Sequence, residues 1–197
     1  ILLEADKQYE EAVVQFNKAL SMDKSHTEIY KDISDVYEKK RDFPKAIEAY
    51  KNYLDEMKSS PDISDLFLYG RLNYYAATDS AYQDKQPTYL AEADTIFAQV
   101  AVKVPDNYLG NFWRARVNSL RDPETTQGLA KPYYEAALSI LEQKPDATKS
   151  VLVECNSYLG YYYFVKEDYN QSKQYWNKIL EIDPENETAT KALGGIK

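Results

Sequence analysis

The side chains that could do chemistry are few, and their spacing argues against catalysis. His26 is the only histidine among 197 residues, so neither a metal cluster nor a Ser-His-Asp arrangement can be assembled around it. It falls in a loop between two helical segments, where surface capping is its expected role. Cys155 is the only cysteine, which rules out an internal disulfide, and no histidine neighbours it in sequence to draw off its proton. A small buried packing residue is the better reading. The acidic pairs Glu10-Glu11 and Glu167-Asp168 sit at turns and helix starts, where negative charge suits the helix dipole. Catalytic carboxylates need a shielded cleft to shift a pKa, and nothing in the sequence predicts one. No catalytic residue, metal site or cofactor is therefore expected.

Composition narrows the class of partner. The chain has 24 Lys plus Arg against 32 Asp plus Glu, which argues against a nucleic-acid ligand, since that needs clustered positive charge. No apolar run approaches the roughly 18 residues of a membrane span, and no signal-peptide pattern opens the chain. It begins Ile1-Leu2-Leu3, without Met and in the middle of a repeat, so a fragment or processed form is expected. The 19 tyrosines are the unusual feature of composition. Tyrosine offers a flat apolar body and a hydroxyl with little rotamer entropy to lose, which suits helix seams and binding surfaces.

The elements that must position these residues come from an internal repeat. Ala12 and Ala46 lie 34 residues apart, and Tyr9-Glu10-Glu11-Ala12-Val13 lies over Phe43-Pro44-Lys45-Ala46-Ile47. Phe16 then matches Tyr50, and Leu20 matches Leu54. A period of that length marks a helix-turn-helix solenoid. Between residues 153 and 186 run Tyr158-Leu159-Gly160, Tyr163, Asp168-Tyr169, Ser172, Trp176, Ile179-Leu180 and Asp183-Pro184. This pattern resembles the tetratricopeptide repeat (TPR). Ser172 departs from the family's usual Ala, and Asn156 stands where a bulky residue is expected. A second good copy covers 27–60, with Tyr30, Ile33-Ser34, Tyr37, Ala46, Tyr50 and Tyr53.

The resemblance implies an all-α, antiparallel helix-pair, right-handed solenoid forming one array over 1–197. Residues 1–22 are read as a truncated repeat with a turn at Asp6-Lys7-Gln8. Units follow at 27–60, 63–105, 108–142 and 153–186, with a short capping helix at 187–197. Two middle units carry insertions. Thr78 to Pro87 is expected to be an exposed loop, with Pro87 pre-set for the first turn of the next helix. Pro132 predicts a kink or a restart near Lys131, and Lys144-Pro145-Asp146 a helix stop.

Asn170-Gln171-Ser172 and Asn186-Glu187-Thr188 match the N-glycosylation sequon, but Ser172 lies at a helix seam and both are taken as chance. Asp79-Ser80-Ala81, in the insert, resembles a short O-glycosylation motif of some Gram-negative bacteria.

TPR proteins line a concave face with helix A side chains that the core does not use. Carried onto this sequence, those positions are charged in the 27–60 unit (Glu28, Lys31, Asp35, Glu38, Lys39) and aromatic afterwards. The resemblance thus implies a groove of Phe67, Arg71, Tyr74, Tyr75, Phe112, Arg116, Tyr161 and Phe164, residue types that anchor interfaces. Trp113 and Trp176 are expected in the core. The clamp that grips a chaperone's C-terminal carboxylate is not expected, because Asp35 stands where that site requires Asn.

The expected function is a non-catalytic scaffold that binds an extended or helical segment of a protein or peptide partner. The alternative is glycan binding by aromatic stacking, as in TPR-based sugar-capture lipoproteins. Homo-oligomerisation is compatible with either. The style of the repeats resembles bacterial TPR proteins and points to the periplasm, with the cytoplasm as alternative.

Overall fold

Asp42, Asp62, Asp168 and Asn186 each start a helix by accepting the backbone N–H of the third residue on, at 3.4, 2.8, 3.1 and 3.0 Å. Such caps satisfy N–H groups that the first helical turn leaves orphaned. In a computed structural model of the chain, residues 2–23, 25–57, 59–144 and 146–196 are described, with side chains from Asp6 onward. Ile1 and Pro145, on which two of the readings above fell, lie outside the described residues. Among the described residues there are ten α-helices and no strand. They are α1 (Leu2–Met22), α2 (Ile29–Lys39), α3 (Phe43–Glu56), α4 (Ile63–Thr78), α5 (Gln86–Lys103), α6 (Leu109–Arg121), α7 (Lys131–Leu141), α8 (Lys149–Val165), α9 (Tyr169–Ile182) and α10 (Glu187–Gly195).

The chain packs as two units, 1–96 and 97–197, with the boundary inside α5. In the first, Ala46, Tyr50, Tyr53 and Leu72 form one core cluster and Leu20, Ile33 and Ala49 another. In the second, Phe97 stacks on Trp113 at 5.4 Å, and Trp176, Ile179, Ala189 and Ile196 close the C-terminal end. Both tryptophans are core residues, as expected, at 8% and 6% exposure.

The two strong repeats share their turn down to the backbone. At the α2–α3 turn Asp42 N–H donates to Tyr37 C=O at 2.9 Å, across Arg41 with φ 59°. At the α8–α9 turn Asp168 N–H donates to Tyr163 C=O at 2.9 Å, across Glu167 with φ 60°. This left-handed helix stop usually falls to glycine. The match sets the register: residue n of the first copy stands at n + 126 in the second.

Two local readings need correcting. Asp6-Lys7-Gln8 is not a turn; α1 runs through it unbroken from Leu2 to Met22, since none of these residues breaks a helix. The insert is exposed as expected, and Pro87 falls in the first turn of α5, but it is not an irregular loop. Ser80–Lys85 forms a 3₁₀ helix capped by Asp79, whose carboxylate also takes the Arg41 guanidinium at 2.7 and 3.1 Å. Tyr82 O–H donates to Arg41 C=O at 3.2 Å, so the insert is fastened to the α2–α3 turn. The hydrogen bonds Asp79 receives from Ala81 N–H and Arg41 hold its carboxyl below the usual carboxylate range. At Pro132 the expected restart is found in place of a kink: α7 begins at Lys131, which leaves Pro132 in the first turn, where it is tolerated.

Before α7 the chain folds around one buried side chain. Asp122, 4% exposed, accepts N–H groups of Gln127, Gly128 and Leu129 on a single carboxylate oxygen at 2.9, 2.7 and 3.4 Å. Gly128 has φ +71°, and any side chain there would run into the Tyr162 ring.

Candidate functional site

In the first unit, α4 carries Phe67, Arg71, Tyr74 and Tyr75, all half-buried. Arg71 lines neither of two clefts on this unit. Its guanidinium donates to Glu38 on α2 at 3.2 Å and lies 5.4 Å from the centre of the Tyr75 ring. Tyr75 continues an aromatic chain to Phe43 at 6.3 Å, and Phe43 meets Tyr82 of the insert at the same spacing. The insert thus covers part of the wall. On one side a cleft of about 290 Å³ is lined by Glu38, Arg41, Phe43 and Tyr75. On the other, a cleft of about 250 Å³ is lined by Asp32, Asp35, Glu38, Leu68 and Leu72. Lys31 does not project freely beside it: its ammonium meets buried Asp65 at 2.9 Å and lies 4.3 Å over the Tyr53 ring. Burial works against that charge, but hydrogen bonds to Asp65 and Tyr53 outweigh it and hold the pKa above its ordinary value.

In the second unit the expected residues separate into core and surface. Phe112, expected on the groove wall, is 3% exposed; it packs edge-on against Tyr108 and Tyr134. One residue of register decides this, because α6 turns Phe112 inward beside Trp113. Arg116 forms a bidentate pair with Glu154 of α8, at 2.7 and 2.6 Å, and its guanidinium carbon lies 4.5 Å from the Phe112 ring centre. Tyr134 O–H joins the same carboxylate at 3.1 Å. Burial, then the Glu154 charge, push the Tyr134 hydroxyl's pKa up, so it stays a donor. Next to Glu154, Cys155 is fully buried, and burial pushes its thiol up to about 12.

Tyr161 and Phe164 behave differently. They lie on α8 at 42% and 41% exposure and flank a cleft of about 230 Å³ toward α10. Trp176, Ala192, Gly195 and Ile196 complete it, with Lys191 the one charged residue on its wall. Tyr169, at the start of α9 and 40% exposed, lies 5.8 Å from Phe164 and extends the apolar surface. Sequence reasoning missed Tyr169, whose repeat position belongs to helix B. It also missed the α10 residues, whose small size carries no signal of binding. Among the described residues no group of three or more His, Cys, Asp or Glu is placed to hold a metal ion, and no helix is long and apolar enough to cross a membrane.

The comparisons with known proteins agree with this architecture. Residues 158–186 match the model of the tetratricopeptide repeat. The chain is similar to the C-terminal part of a TPR repeat-containing protein from Cytophaga hutchinsonii, at 31% identity and a TM-score of 0.78. That match covers 92% of this chain, and this chain spans 65% of the other. YrrB, described as a TPR protein with an unusual peptide-binding site, matches at 18% identity and a TM-score of 0.62, over 97% of this chain and 86% of its own. A thermophilic TPR protein from Thermus thermophilus matches at 16% identity and a TM-score of 0.55, over 99% and 93%. No curated protein sequence matches. Paired helices, small residues at their crossings, a matching repeat model and these folds converge: the chain is a tetratricopeptide repeat protein.

Proposed function

We propose that this TPR protein is an interaction scaffold that holds a segment of a partner protein on α8 and α10. The observation that carries the reading is the cleft between Tyr161, Phe164 and α10. Its volume of about 230 Å³ suits one large apolar side chain, and its walls offer rings to pack against. Apolar surface left open to water is costly, so a partner that covers it gains the burial. Phe67, Tyr74 and Tyr75 on the first unit form a second contact surface. Arg71 and Arg116 act within the fold: each is held by a carboxylate of a neighbouring helix and braces the rings beside it.

The test is selection of random twelve-residue peptides on the immobilised chain, followed by titration of the selected peptides. Peptides with a large apolar residue are expected, and Phe164→Ala should weaken them by about 1–3 kcal/mol, the range of an interface anchor. Selected peptides that bind Phe164→Ala and Tyr161→Ala unchanged would overturn this placement. Saturable binding of oligosaccharides where every peptide fails would favour sugar stacking on the same rings.

A further inference from the structure

We propose that the second unit also holds a small-molecule site, in the cavity between α7, α8 and α9. Its ligand is an organic anion whose apolar body ends in a hydrogen-bond donor. Nothing in this depends on the partner-binding reading above.

The cavity begins with Asn156. By the register of the two strong repeats, Asn156 of α8 stands where Tyr30 stands in α2, and Tyr30 packs against both core clusters of the first unit. An asparagine cannot fill that volume. It is 2% exposed, and its Nδ2 donates to Leu152 C=O at 2.7 Å. Its Oδ1 is buried and meets no donor among the described residues. A buried acceptor left unmet forfeits its hydration without return, so such atoms are rare unless something completes them.

Asn156 lines a cavity of about 450 Å³, within the size range of small-molecule sites. Leu141, Leu152 and Ile182 supply apolar walls. The segment after α7, which carries the extra length between Ala130 and Ser172, supplies the rim with Glu142, Lys144 and Ala147. Lys178 is taken by Glu142 at 2.9 Å, whereas exposed Lys144 and Lys149 hold no carboxylate among the described residues. With Glu181 the lining carries three ammonium groups against two carboxylates. The surroundings do not oppose an anion either: residues 97–197 have 13 acidic and 12 basic side chains, whereas 1–96 have 19 and 12. The donor would meet Asn156 Oδ1 at depth, the apolar body the leucines and Ile182, and the negative group Lys144 and Lys149 at the mouth.

Indole-3-acetate and 4-hydroxyphenylacetate have this chemistry and serve as probes in calorimetric titration of the full chain. Saturable one-to-one binding of at least one is expected. Methylating the indole nitrogen, which removes the donor, should weaken binding by about tenfold. Asn156→Leu, a near-isosteric change that removes the deep acceptor, should weaken binding by about tenfold without lowering the melting temperature. Lys144→Gln with Lys149→Gln should weaken the acid several-fold and leave its methyl ester unchanged. Should Asn156→Leu fold poorly, Ile182→Trp still blocks the cavity from the opposite wall and must abolish binding. No binding of either acid, equal binding of the N-methyl analogue, or binding undiminished by the blocked cavity would each overturn the proposal. A cavity holding only solvent, or one that takes peptides but not the free acids, would overturn it too.

Discussion

Ser172 Oγ donates to the carbonyl of Gly160 at 2.7 Å, and Ser34 Oγ donates to the carbonyl of Ala46 at 2.8 Å. The two bonds join the same pair of repeat positions in opposite senses. In the first copy the serine is on the leading helix and the acceptor on the following one; in the second copy the roles are exchanged. Each crossing keeps one residue with no side chain beyond Cβ and one hydroxyl that reaches over it. The crossing therefore requires closeness and one donor, and either helix can supply the donor.

That closeness can be tested at two glycines of the same repeat position. A Cβ at Gly160 would lie 2.7 Å from Trp176 Cε2, whereas one at Gly194 would meet nothing within 4 Å. Gly160→Ala should destabilise the protein by about 1–3 kcal/mol through overpacking and shift the tryptophan emission. Gly194→Ala, inside α10, should stabilise that helix by up to about 1 kcal/mol. Urea unfolding of both variants decides the matter, and equal effects would mean that the register is wrong.

Glu167 holds a left-handed backbone that costs a residue with a Cβ about 1 kcal/mol or more. Glu167→Gly should therefore raise stability by about 0.5–1 kcal/mol, because the relieved strain outweighs the added freedom of the unfolded chain. Arg41 shares the geometry but also holds Asp79, so Arg41→Gly should show a smaller gain or a loss. Thermal melts of the two variants measured together provide the check.

Cys155 is predicted to be inert in the folded protein. Burial and the neighbouring Glu154 charge raise its thiol from 9.0 to about 12, which leaves almost no thiolate at neutral pH. Because the folded pKa lies above the unfolded one, the stabilisation is complete below about pH 9 and is lost as pH rises toward 12. Labelling by a thiol reagent should follow the rate of unfolding, and Cys155→Ala should flatten the alkaline fall in stability. Rapid labelling under native conditions would refute the burial.

The fold was legible wherever a local signal met the period. Gly160, Ala46 and Asp168 each carry a requirement that a few neighbouring residues reveal. The insert was misread because its order comes from Arg41, 38 residues before Asp79, and no local pattern announces that pairing. Phe112 was misplaced on the wall for a different reason, since one residue of helical register turns a side chain from surface to core. Arg71 and Arg116 were read as groove residues from their repeat positions, because their carboxylate partners lie 33 and 38 residues away and leave no local signal. Asn156 was visible as a departure from the repeat, while the depth it opens required the packing of three helices.

The Asp122 loop separates what holds a backbone from what it shows to solvent. One carboxylate oxygen and the left-handed Gly128 hold the path, while Pro123, Glu124 and Gln127 have exposed side chains. Substitutions at those three positions that keep the Gln127 N–H leave the anchoring atoms in place, so the segment can drift in charge and shape while its ends stay put. A lineage could change what this edge of the protein touches without refolding anything, and an engineer could graft a short epitope there on the same terms.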